Sequence, residues 1–144
     1  MTLILDTSII ISALIRNSVV RKILLFPTFN FLIPEFALEE IRRHKSKICK
    51  LSGINEDELD ILISLIIQNI NIISSNKIMP YYDKAIKIIG EIDMADVPFV
   101  ALALAVKNDG IWTNDRDFDH IKEIKIWKTS ELLKYLKELP EMPM

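Results

Sequence analysis

Glycine and cysteine are nearly missing from this chain of 144 residues, which holds three glycines (Gly53, Gly90 and Gly110) and one cysteine, Cys49. Three isolated glycines cannot build a glycine-rich phosphate loop, so the common nucleotide-cradling motifs are excluded. A lone cysteine forms neither an internal disulfide nor a thiolate metal cage, and it fits a reducing compartment. Histidine is also scarce: His44 reads as lying nearer the core face and His120 follows a run of acids, so both are expected to be structural. Long hydrophobic runs are absent, since the densest stretch, Ile61 to Ile67, is interrupted by Ser64 and falls short of the roughly 18 residues that span a bilayer. The apolar N-terminus contains Asp6 and lacks a basic leader or cleavage site, so it is not read as a signal peptide. These absences together predict a cytoplasmic protein with no membrane partner. Charge of one sign is not in excess either. A net charge of -2 and a pI near 5.7 give no global pull toward a polyanion, so any nucleic-acid partner must use a local basic patch.

What is present is half hydrophobic, enough to bury one substantial core, and the chain reads as one domain over 1–144 with a short tail from about 139. Short apolar runs alternate with helical patterns. Leu3 to Leu5 reads as a strand, followed by a helix over Ile9 to Ile15 capped by Thr7 or Ser8. Phe29 to Ile33 is a second strand, Glu35 to about Cys49 one helix, and Asn55 opens another through Gln68. Asn71 to Ile73, Ile111 to Thr113 and Ile124 to Trp127 complete the predicted strands. Helices are predicted over Tyr81 to Ile89, Val97 to Lys107, a short stretch from Asp115, and a last one to Lys137 capped by Thr129 or Ser130. Pro140 and Pro143 end the order. This alternation predicts an α/β fold whose parallel sheet is covered on both faces.

Four acids, Asp6, Glu40, Asp96 and Asp115, fall where a strand or helix gives way to a polar turn. Each has an ordinary explanation, because an aspartate before a helix caps its N–H groups and complements its dipole. Capping does not explain the surplus. Asp93 precedes Asp96 by three residues at the mouth of an apolar helix, and Asp117 and Asp119 follow Asp115, with Asp119 read as surface charge. In a parallel sheet, ligands bind beyond the carboxyl ends of the strands, where Asp6 and Asp115 both lie. At about 100° per residue, Ala37, Ile41, Ile48 and Leu51 share a face, with Glu40 roughly 60° from its centre and Glu39 nearly opposite; helical phase therefore favours Glu40. Carboxylates gathered without intervening lysine or arginine suit a hard divalent cation.

Leu5-Asp6-Thr7-Ser8, Glu40-Ile41, Asp96 with Ala101-Leu102-Ala103-Leu104 behind it, and Trp112-Thr113-Asn114-Asp115-Arg116-Asp117-Phe118 occur in that order, and with them the chain resembles a PIN domain. That nuclease fold is shared by VapC-type toxins of prokaryotic toxin–antitoxin pairs and by other RNA-processing nucleases, and the resemblance covers nearly the whole sequence. It implies a three-layer α/β/α sandwich, a catalytic and metal-holding pocket of Asp6, Glu40, Asp96 and Asp115 with Asp117 contributing, one or two Mg2+ or Mn2+ ions, and cleavage of single-stranded or structured RNA. Thr7, Ser8, Thr113, Lys47 and Asp93 are auxiliary. Ser8 and Thr113 can donate to the carboxylates or to a phosphate. Lys47, in the basic run from Arg42 to Lys50, can guide a phosphate backbone, whereas Arg42 and Arg43 read as solvated.

Polar residues of the segment Leu59 to Ile70 form one narrow stripe, which predicts an interface: a homodimer or a seat for an antitoxin segment. An RNA-binding scaffold without catalysis, or a housekeeping RNA-processing nuclease, are the alternatives to a toxin. A phosphoaspartate enzyme would want a second aspartate at position 8, where Ser8 stands.

Overall fold

The computed structural model describes residues 1–16 and 18–139. The tail expected from about 139 lies outside the described residues from Pro140 on, Pro143 included. Five strands form one sheet: β1 Thr2–Leu5, β2 Asn30–Pro34, β3 Ile70–Ile73, β4 Ile111–Trp112 and β5 Ile126–Trp127. Their order is β3-β2-β1-β4-β5 and every pairing is parallel. Leu3, Ile4 and Leu5 on the central strand are wholly buried, as are Ile111 and Trp112 on β4, because helices cover both faces of the sheet.

The chain leaves β1 toward β2 through α1 Thr7–Ile15 and α2 Ser18–Leu24. It continues to β3 through α3 Glu35–Arg43, α4 Lys45–Ser52 and α5 Glu56–Ile67. It then returns across the sheet to β4 through a helical run that opens with α6 Ser75–Ile78 and α7 Tyr82–Ala85, passes a π-helical turn Ile86–Gly90, and ends with α8 Val97–Ala105. Right-handed crossovers in opposite directions put the two groups of helices on opposite faces. The result is the expected α/β/α sandwich. The reversal of direction falls between β1 and β4, the place where open α/β sheets leave a crevice. α9 Thr129–Lys137 closes the chain beside α2. At the far end of β4, Gly110 has φ 134°, and a Cβ there would collide with the carbonyl oxygen of Lys125. No helix among the described residues is long and apolar enough to cross a membrane.

Several expectations are corrected. The helix predicted from Glu35 to Cys49 is two helices broken at His44, so phase cannot be carried across it. His44 is exposed rather than core-facing, Leu51 is 55% exposed, and Lys47 stands on α4, exposed and on a different helix from Glu40. α2 was not expected from the sequence. Arg21 on α2 donates its Nε to the Ala13 carbonyl and its Nη2 to that of Leu14 at 3.3 Å, satisfying the open C-terminus of α1. The cap position of α1 is Asp6, not Thr7 or Ser8, and that of α9 is Lys128, not Thr129 or Ser130. The helical run before Gly90 starts at Ser75, six residues ahead of the predicted Tyr81.

Candidate metal centre

The register of the sheet builds the site. Leu5 pairs with Trp112, so the next residues, Asp6 and Thr113, emerge side by side at the switch between β1 and β4. The Thr113 hydroxyl donates to Asp6 Oδ2 at 2.7 Å, and the Ser8 hydroxyl donates to the same oxygen at 2.7 Å. Thr113 Oγ1 in turn accepts from the Asp115 N–H at 3.0 Å, linking the two strand-end loops through one buried hydroxyl. Although Asp6 occupies the cap position of α1, its carboxylate makes no capping bond.

The acids beside it divide by what their oxygens do. Asp93 spends Oδ1 on the Ala95 N–H at 2.9 Å, and Asp115 spends Oδ1 on the Asp117 N–H at 2.9 Å. These are capping bonds, yet each uses one carboxylate oxygen only. Asp96 makes none, although it stands at the cap position of α8, and it is only 6% exposed. Its Oδ2 is buried without a hydrogen-bond partner among the described residues. A buried carboxylate oxygen with no donor is costly unless a proton or a cation completes it. Asp96 is pushed up to about 8, by burial first and then by the charges of Asp6, Asp93, Asp115 and Asp117. Asp117 is also raised, by desolvation and then by Asp115.

One carboxylate oxygen from each of Asp93, Asp96 and Asp117 lies within 4.8 Å of the others. Hard divalent cations take several oxygen ligands, and three converging carboxylates, one of which carries a buried oxygen without a donor, fit such an ion. The group that converges among the described residues thus contains Asp93 and Asp117, which the sequence ranks as auxiliary and contributing, together with Asp96 from the principal four. Asp6 and Asp115 are close enough to raise Asp96 but are not in that trio. Only folding could show this.

Glu40 lies on the Asp6 side. Its Oε1 accepts from the Thr7 hydroxyl at 2.7 Å, and its pKa is raised by partial burial, opposed by that hydrogen bond and reinforced by the charge of Asp6. Glu39 is solvated, 3.8 Å from Arg43. Asp119 is exposed and paired with Lys128 at 2.7 Å. Both histidines are exposed, and the structure brings neither Lys47 nor any histidine to the carboxylates by a hydrogen bond or ion pair among the described residues. Asn114, Lys128 and Thr129 do reach the Asp115 turn. Asn114 has no expected role from the sequence and Thr129 only that of a cap; the available signal is an amide next to Asp115.

A family model for the PIN domain matches residues 4–137. Among solved structures, a chain of the crystal structure of VapBC2 from Rickettsia felis bound to a DNA fragment from their promoter aligns with a TM-score of 0.69. The two share 20% sequence identity over 89% of this chain and 98% of that one, a likeness of fold. No match is found among curated protein sequences.

Proposed function

Since this chain belongs to the PIN-domain family, we propose that it is a divalent-metal-dependent endoribonuclease that acts in the cytoplasm as the toxin of a toxin–antitoxin pair. The observation that carries the metal reading is the buried Asp96 Oδ2, without a donor among converging carboxylates. The RNA substrate rests on the motif resemblance. The toxin reading rests on that resemblance and on the fold shared with a chain of a VapBC complex.

Asp93, Asp96 and Asp117 would hold the ion, Mg2+ or Mn2+, with Asp6 and Asp115 available for a wider or second site. When bound, such a cation would neutralise the phosphodiester and activate water for in-line displacement. The chain's own contribution is orientation. Ser8 and Thr113 fix Asp6 by donating to Oδ2, so Oδ1 would be the oxygen it offers to an ion. Thr7 fixes Glu40 through Oε1, so Oε2 would be the atom to take a proton from the attacking water. Without cations the pocket repels a phosphate, so metal removal impairs substrate binding as well as turnover.

Ile61 and Leu65 on α5 are 63% and 52% exposed, and we assign them to a homodimer contact. Monomeric mass by light scattering at micromolar concentration would contradict that assignment. The decisive assay follows labelled RNA and DNA with magnesium, manganese or chelator. Cleavage of RNA that needs either ion supports the reading, whereas RNA binding without cleavage under every condition would leave a non-catalytic scaffold.

A further inference from the structure

The turn that carries Asp115 and Asp117 is a weak element on its own. β4 has two residues, the 3₁₀ turn Arg116–Phe118 has three, and the backbone ladder between β4 and β5 ends with the Thr113 N–H donating to the Trp127 carbonyl at 3.0 Å. Beyond that rung a side chain continues the pairing. Asn114 Oδ1 accepts from the Thr129 N–H at 3.0 Å, and Asn114 Nδ2 donates to Thr129 Oγ1 at 2.9 Å. The same hydroxyl accepts from Nε1 of the fully buried Trp112 at 3.0 Å. Lys128, the preceding residue, directs its Nζ toward the Asp115 carbonyl at 3.4 Å and pairs with Asp119 on the far side of the turn. The start of α9 therefore grips the acidic turn at Asn114, Asp115 and Asp119.

We propose that Asn114 and Thr129 are positioning residues of the metal centre: their reciprocal hydrogen bonds substitute for missing sheet rungs and set the cation affinity of Asp115 and Asp117. This rests on the reading of the acidic pocket as a metal site. Neither residue is hydrogen-bonded to a carboxylate among the described residues. Each acts through the backbone that aims one, as outer-shell partners of metal ligands do. The hydroxyl of Thr129 is the shared acceptor, so its loss strands the Trp112 indole N–H in the core and removes one of the two bonds that hold Asn114, the bond from the Thr129 N–H remaining. Loss of the Asn114 amide frees the turn alone.

The test is Mn2+ affinity, read by electron paramagnetic resonance, for the wild-type protein and for Asn114→Ala, Thr129→Val and Thr129→Ser, with the indole N–H resonance of Trp112 recorded for each. Asn114→Ala and Thr129→Val are expected to weaken Mn2+ binding by about tenfold or more, the usual cost of losing an outer-shell partner. Thr129→Ser, which keeps the hydroxyl, is expected to bind as the wild type does. The Trp112 resonance should move in Thr129→Val and hold its place in Thr129→Ser. Should Thr129→Val fail to fold, Asn114→Ala, a change at an exposed residue, decides the matter. Wild-type affinity in Asn114→Ala overturns the positioning role while leaving the metal site standing. Absence of Mn2+ binding by the wild-type protein overturns both.

Discussion

Asp6 and Asp96 are equally buried, each 6% exposed, and their surroundings are opposite. One oxygen of Asp6 receives two hydroxyl hydrogen bonds, from Ser8 and Thr113. Asp96 keeps a buried oxygen with no donor, among carboxylates that drive its pKa to about 8. One carboxylate is held by the protein at one oxygen, and the other keeps a buried oxygen for something outside it. The difference locates the demand for a cation more narrowly than acidity does, since both sides of the crevice are acidic and, among the described residues, only Asp96 has a buried oxygen without a donor.

The sharpest way to break this contrast is Asp96→Asn. It should abolish magnesium-dependent RNA cleavage, by more than the ~100-fold that loss of an outer-shell partner costs, with the circular dichroism spectrum unchanged. Residual cleavage within tenfold of wild type would show that Asp96 is not a ligand.

Titration of the metal-free protein comes next in size. The folded protein holds a proton on Asp96 up to about 8, while the unfolded chain releases it near the ordinary 3.8. Between those values the folded state binds more protons, so its stability falls as pH rises, by at most about 1.4 kcal/mol per pH unit. Below the unfolded value that contribution is present in full. Chelated protein should thus melt at a lower temperature at pH 8 than at pH 5, and Mg2+ should restore more at pH 8, because the ion must displace the proton at pH 5. Equal melting temperatures of the chelated protein at both values would remove Asp96 from the account.

The smallest expected effect lies on the Asp6 side. Thr113→Val deletes a hydroxyl that gives one hydrogen bond and accepts another, at a cost of about 1–3 kcal/mol in stability. Cleavage should fall by about tenfold, an outer-shell loss rather than a ligand loss. A defect as deep as that of Asp96→Asn would erase the distinction between the two sides.

Strand ends are where the sequence was most legible. Leu3 to Leu5 followed by Asp6, and Ile111 to Thr113 followed by Asp115, show both the sheet and the edge where acids gather, because apolar runs broken by a polar turn have few other solutions. The helix break at His44 was not legible. No glycine or proline marks it, and Ile41 and Ile48, seven residues apart, keep helical spacing across the polar run Arg42 to Lys47. α2 was readable, since Val20, Ile23 and Leu24 follow helical spacing and are buried and Asn17 and Ser18 are capping residue types, but seven residues are too few for the periodic pattern to stand out. The grouping of Asp93 and Asp117 with Asp96 depends on how two loops meet in space. Each acid also makes or sits beside an ordinary capping bond, so local chemistry alone does not separate cap from ligand.

Gly110 stands at the end of β4 remote from the acids, with a backbone no L-residue readily adopts and no room for one more carbon. In a library of random substitutions screened for loss of activity, position 110 would be as intolerant as any ligand, and for an unrelated reason. Survivors of such a screen would fall into two kinds: proteins that accumulate in the cell but do not cut, altered at the acids, and proteins that never accumulate, altered at Gly110. Abundance, not activity, tells the two apart.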